Sequence, residues 1–209
     1  MKTLILVDIQ NDFADPDGAL YVESGEDVVQ VANKLMKADV FDLVVATADW
    51  HPQNHESFAS NQGTDPFTVG ELDGLFQVWW PDHCVAGSPG AEFHPELNMD
   101  KVATIFRKGM DLKVDSYSGF FDNSKRNSTR LGEYLRLSGI LDVYVMGLAT
   151  DYCVKYTVLD AETEFAFNTY LIQDGCRAVD MNPGDSEKAI EEMKGEGVTV
   201  INSEDLLNE

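Results

Sequence analysis

The stretch Leu141-Asp-Val-Tyr-Val-Met-Gly-Leu-Ala-Thr-Asp-Tyr-Cys-Val-Lys-Tyr-Thr-Val-Leu-Asp-Ala-Glu-Thr-Glu164 reads as a strand, a tight connection and a helix. Residues 141–146 form a short apolar run of strand character, and residues 154–164 carry the helical period. Cys153 lies at the join. A thiol there sits among helix-terminal N–H groups at the positive end of the helix dipole, which favours the thiolate that attacks carbonyl carbon.

The same alternation recurs along the chain. Apolar runs at 3–7, 42–47, 102–106, 166–172 and 198–201 join the one at 141–146, and helical periods at 27–37, 129–138 and 186–194 join the one at 154–164. Strands alternating with helices imply parallel pairing through right-handed crossovers. The predicted fold is therefore α/β, three αβα layers around a mainly parallel, roughly six-stranded sheet. Continuous runs such as Leu43-Val-Val-Ala46 suit strands buried on both faces. One domain over residues 1–209 is expected, because a chain of this length buries roughly 70% of its unfolded surface.

The interval 49–100 breaks the rhythm. It is rich in Pro, Gly, Trp and Asp and carries all four histidines. A loop region this long inside a compact domain is usually functional or wrongly assigned, and the functional reading is favoured here. In an open parallel sheet ligands bind beyond the carboxyl ends of the strands, where Asp8, Lys108 and Cys153 also fall.

Fifteen Lys and Arg against 37 Asp and Glu give a net charge of −22. Such a surface repels nucleic acid and anionic membrane, which leaves a small neutral or cationic ligand as the expected partner; a homo-oligomer is compatible with this composition. The 44% hydrophobic and 10% aromatic shares are those of a globular protein, and no apolar run approaches the roughly 18 residues of a membrane helix. Residues 1–7 have the look of a signal peptide, but Asp8 and Asp12 interrupt it and no small-residue cleavage site follows. A cytoplasmic protein is expected. Cys84, Cys153 and Cys176 are an odd number without a C-x-x-C pair, so neither a disulfide framework nor a cysteine zinc cluster is indicated.

Two constellations carry chemistry. Asp8, Lys108 and Cys153 each follow a predicted strand: a carboxylate able to take the thiol proton, an ammonium able to hold that carboxylate, and a nucleophile. Singly they also read as a turn cap, a solvated charge and a small buried apolar group. In Asp49-Trp-His51 the period of two puts both polar side chains on one side of the chain. Together with His83 they make a one-carboxylate, two-histidine set suited to zinc, manganese or iron. On spacing alone Asp-x-His reads first as satisfied loop polar groups. His55 falls behind this set, and His94 reads as a structural loop residue.

Six motifs then fall in order: Asp8-Ile-Gln-Asn-Asp-Phe13; Asp49-Trp-His-Pro-Gln-Asn-His55 with Ser57-Phe58; Trp80-Pro-Asp-His-Cys-Val85 with Gly87; Phe106-Arg-Lys-Gly109; Tyr117-Ser-Gly-Phe120; and Gly147-Leu-Ala-Thr-Asp-Tyr-Cys-Val154. Over nearly the whole chain they resemble the nicotinamidases of the isochorismatase-like cysteine hydrolases.

The resemblance implies hydrolysis of nicotinamide to nicotinate and ammonia, in NAD salvage, through a thioester on Cys153. It implies Asp8 as proton carrier, Lys108 as its orienter, and one divalent transition metal on Asp49, His51 and His83, zinc first with manganese or iron as alternatives. It further implies an oxyanion hole from the N–H groups of Ala149 and Cys153, a cis peptide between Leu148 and Ala149, and a ring pocket of Phe13, Trp80 and Tyr117. His55 and Ser57 belong to the surroundings of the metal, Ser57 through water. Two departures are Leu148-Ala where Val-Ala is commoner, and Tyr152 at a variable position before the nucleophile. Two other readings compete: a related amidohydrolase for another amide, whose relatives generally lack the metal set, and a non-catalytic thiol-sensing protein, which leaves that set unexplained.

Overall fold

The computed structural model describes residues 1–208. Along the chain run β1 (Lys2–Val7), α1 (Asn11–Ala14), α2 (Gly25–Ala38), β2 (Leu43–Asp49), α3 (Ala59–Gln62), β3 (Val69–Leu72), β4 (Leu75–Val78) and β5 (Thr104–Lys108). There follow α4 (Leu131–Leu137), β6 (Asp142–Leu148), α5 (Lys155–Thr163), β7 (Asn168–Arg177), α6 (Asp185–Gly195), β8 (Thr199–Ile201) and α7 (Ser203–Leu207). Among the described residues no helix is long and apolar enough to cross a membrane.

Six strands form one parallel sheet in the order β5-β2-β1-β6-β7-β8, as the alternating pattern predicts. β1 lies inside it, and every residue from Thr3 to Val7 is fully buried. Its unbroken apolar run suits a strand covered on both faces. The chain steps from β1 to β2 in one direction and from β5 through β6 and β7 to β8 in the other. Right-handed crossovers therefore put α2 on one face and α4, α5 and α6 on the opposite one. α2 buries Val28, Val29, Ala32, Leu35 and Met36, a stripe at helical spacing, and packs with α7 on β7, while α5 and α6 pack together over β6 to β8.

The structure extends three predicted strands. β2, β5 and β6 each run two residues beyond the ends of their apolar runs, to Asp49, Lys108 and Leu148. Ladder pairing, not hydrophobicity, sets these ends: Asp49 pairs with Lys108, Val7 with Gly147 and Leu148 with Arg177. Gly147 has φ +135°, and a Cβ there would collide with the carbonyl oxygen of Val7 on the neighbouring strand. The predicted run 166–172 becomes β7, which continues to Arg177 past an irregularity where Val145 pairs with Leu171 but Gly147 with Cys176.

Two further differences bear on the site. The helix predicted from residue 154 begins earlier, as a π-helical turn over Thr150–Val154 that leads into α5, so Cys153 lies inside the first turn. The interval 49–100 holds α3 and an antiparallel β3–β4 hairpin. Its tip is Asp73-Gly74, with φ values of 52° and 78°, as a primed two-residue turn requires.

Candidate active site and metal centre

The four parallel strands β5, β2, β1 and β6 end side by side, which brings Lys108, Asp49, Asp8 and Cys153 together. Lys108 is the hub. Its Nζ lies 2.5 Å from Asp49 Oδ1, 3.0 Å from Asp8 Oδ2 and 3.3 Å from Cys153 Sγ, and it donates to the Ser116 carbonyl at 2.8 Å. Acid and thiol atoms of Asp8, Asp49 and Cys153 all lie within 4.8 Å of one another. Asp8 has φ 50°, a left-handed conformation uncommon outside glycine, and its Oδ1 accepts a 2.6 Å bond from Thr47 Oγ1.

The electrostatics follow from two acids and one base in a dry site. Burial raises the carboxyl of Asp8 above the ordinary range; Lys108 opposes that and Asp49 adds to it. For Asp49 burial pulls upward as well, but Lys108 and His51 outweigh it and its pKa falls. The thiol of Cys153 is pushed well up, by burial first and then by Asp8 and Asp49, with Lys108 opposing. Burial beside two carboxylates thus opposes the thiolate that the helix-end position favours, next to a base of raised pKa.

The metal candidates converge as well. Asp49 Oδ2 lies 3.6 Å from His51 Nε2 and 3.8 Å from His83 Nε2. Each imidazole is anchored through Nδ1, to the carbonyl of Gly109 for His51 and to that of Pro81 for His83, both at 2.8 Å. Such bonds fix the tautomer that leaves Nε2 free to ligate. His51 Nε2 is buried without a hydrogen-bond partner, and burial, with His51 nearby, lowers His83 to about 4 and keeps it neutral. For His51 burial also pulls downward, but Asp49 outweighs it and the imidazole is instead raised. One carboxylate and two imidazoles aimed at one point fit a divalent transition metal, which takes the place of any proton on Nε2. Gly109 has φ +67°, and a Cβ there would strike the His51 ring, so only glycine lets that imidazole lie against β5.

His55 packs against His51, with ring centroids 4.5 Å apart and the planes tilted by 51°. Its Nδ1 meets Ser57 Oγ at 2.7 Å, which ties Ser57 to the metal set through His55. His94 is not in this group; its N–H bonds the carbonyl of Ile9 and its Nδ1 accepts the N–H of Glu96, a loop role as read from sequence.

A narrow pocket opens over these groups. Cys153, Ala149, Asp49 and His83 lie along it, and Phe13, Trp80 and Tyr117 line it as anticipated. Leu20, Tyr152, Val179 and Asp115 complete the wall. Leu20 and Val179 carry no sequence signal beyond apolarity. Asp115, two residues before the Tyr117 motif, accepts Gln77 Nε2–H at 2.8 Å and lies within 4.8 Å of His51 and His55. Trp80 Nε1 donates to the Tyr117 hydroxyl at 3.2 Å. The Leu148–Ala149 peptide bond is cis. The N–H groups of Tyr152 and Val154 close on the Ala149 carbonyl at 3.1 Å and shape the turn around Cys153.

This arrangement has counterparts. The chain is 50% identical over 201 residues to an Escherichia coli nicotinamidase, covering 95% of this chain and 93% of that one. An Acinetobacter baumanii nicotinamidase pyrazinamidase structure superposes with a TM-score of 0.93 at 45% identity, over 98% of this chain and 97% of that chain. A Pyrococcus horikoshii pyrazinamidase in complex with zinc does so with a TM-score of 0.76 at 37% identity, over 96% and 98%. The isochorismatase domain model matches residues 2–205, and the chain belongs to the isochorismatase family.

Proposed function

We propose that this protein is a nicotinamidase, a metal-dependent amidohydrolase that converts nicotinamide to nicotinate and ammonia. The observation that carries the reading is one cavity shared by Cys153, by Asp49 and His83, and by Phe13 and Trp80. A flat ring between the aromatics, with its nitrogen toward the imidazole end, presents its carboxamide to the thiol. A metal held by Asp49, His51 and His83 supplies a Lewis-acidic position for the pyridine nitrogen. Zinc is the first candidate, supported by the zinc-bound relative.

The steps use this chain's own groups. Asp8 takes the proton of Cys153, and the sulfur attacks the carboxamide carbon as that proton leaves, which avoids a free buried thiolate. The N–H groups of Ala149 and Cys153 receive the developing oxyanion. Asp8 returns the proton to the amine, the C–N bond breaks, and ammonia leaves a nicotinoyl thioester. Asp8 then takes a proton from water, the hydroxyl attacks the thioester, and the C–S bond breaks as the sulfur recovers the proton. Lys108 keeps a positive charge against both carboxylates throughout. Its pKa stands well above the ordinary value because, although burial opposes the charge, Asp49 and Asp8 more than restore it. The reading sets the enzyme in the cytoplasm, returning nicotinamide toward NAD. Ammonia and nicotinate release from nicotinamide by purified protein, with bound metal measured in parallel, tests it; no release from metal-replete protein would refute it.

A further inference from the structure

Beside the aromatic wall lies a second, solvent-open cavity of about 270 Å³, lined on its apolar side by Leu75, Phe76, Val78 and Tyr156. Tyr117 and Tyr152 line both spaces, with their ring centroids 5.4 Å apart, so these two side chains form the partition.

The two halves of that partition are held differently. Tyr117 is locked: its hydroxyl accepts Trp80 Nε1–H and its ring stacks on Tyr156 at 5.4 Å. Tyr152 meets Trp80 edge-on at 4.8 Å, but the bond of its hydroxyl is to the Met181 sulfur at 3.1 Å, a weak acceptor. Removing its ring leaves no strong acceptor or donor stranded.

We infer that Tyr152 is the specificity-determining residue that limits this site to amides of a single ring, by closing the pocket against the second cavity. This rests on the nicotinamidase reading. Opened, the combined space would take an aryl-substituted pyridine carboxamide, the added ring lying among Leu75, Phe76, Val78 and Tyr156.

The test compares kcat/KM for nicotinamide and for 4-, 5- and 6-phenylnicotinamide in the holoenzyme and in Tyr152→Ala and Tyr152→Phe. Tyr152→Ala should improve the ratio for one or more of the phenyl amides by about tenfold or more, the scale on which apolar pockets discriminate by size. Tyr152→Phe keeps the ring and should keep the wild-type ratio. Adding Leu75→Trp to Tyr152→Ala refills the second cavity and should abolish the gain. Should Tyr152→Ala stop turnover, the same ratios are read as affinities by calorimetry with Cys153→Ala in both backgrounds. An unchanged ratio for all three phenyl amides, or a gain that survives Leu75→Trp, overturns the inference. Failure of the wild-type protein to hydrolyse nicotinamide instead overturns the reading beneath it.

Discussion

Asp8, Asp49, Lys108 and Cys153 stand at the ends of four adjacent strands or in the turn just beyond, all nearly inaccessible. Across the pocket, Trp80 and Tyr117 are carried by the exit of the β3–β4 hairpin and by a loop, and the hairpin leaves Phe67 44%, Val69 58% and Phe76 70% exposed. The chemistry is thus mounted on the buried ends of the central sheet, and selection of the ring on a two-stranded hairpin and loop, backed by the small cluster of Ala59, Leu72 and Trp79. Substitutions of Asp8, Lys108 and Cys153 should act on kcat with small effects on recognition, substitutions on the hairpin side the reverse, and substitutions of the metal ligand Asp49 on both.

The sharpest break of that contrast is Cys153→Ala. It should lower kcat by about 10⁴-fold or more while metal content and melting temperature stay near wild type. Mass spectrometry of denatured protein quenched during turnover should find a nicotinoyl adduct on Cys153 in the wild type only. Full activity in the alanine variant would end the covalent scheme.

Asp8→Asn should cost about 10²- to 10⁴-fold. Asp8 must be ionised to accept the thiol proton, and its pKa is raised. Activity should therefore be lost as pH falls through a value above the ordinary carboxylate range. That acid limb of the kcat/KM profile should vanish in the variant; its persistence would assign the limb to another group.

Benzamide sharpens the other side, since it keeps the shape and the amide but lacks the ring nitrogen. Its kcat/KM should fall by roughly 100-fold, the scale met when a site built for a polar contact receives an analogue without it. Comparable turnover of the two amides would remove the metal from recognition.

Gly109→Ala probes the seam between the two sides, because the added methyl displaces the His51 ring. Metal affinity, titrated into chelator-stripped protein, should fall about 10- to 100-fold, with the Asp8–Lys108 pair untouched. Arg126→Ala should have the smallest effect. It removes the ion pair to Asp73 at the hairpin tip, an exposed contact worth at most about 1 kcal/mol, and a larger loss in chemical denaturation would show that the hairpin is better anchored than its exposure suggests.

Sequence legibility follows the same division. Strand runs such as 3–7 and 141–146 are visible because burial on both faces demands unbroken apolarity, and Asp8, Lys108 and Cys153 are found by standing just past such runs. Their ends are less visible, since Asp49 and Lys108 belong to strands by ladder pairing while being charged. The hairpin is missed although Asp73-Gly74 signals it, because its strands are four residues each and only partly buried, with Leu72, Gln77 and Val78 the buried positions. Leu20, Val179 and Asp115 reach the pocket through tertiary placement that no local pattern encodes. The upward pull on the Cys153 thiol is hidden for a related reason: helix-end position is local, but burial beside two carboxylates exists only once the sheet is assembled.

The parallel order β5-β2-β1-β6 has a consequence for how the enzyme is made. Lys108 and Cys153 touch across 45 residues of sequence, and Asp8 and Thr47 across 39, because each strand of a parallel sheet returns only after a crossover. No fragment short of the Cys153 turn holds the reactive set, and closing such distant contacts is the slow part of folding. During synthesis the metal ligands Asp49, His51 and His83 emerge before the nucleophile. Hydrolysis is then an all-or-none report of completed folding.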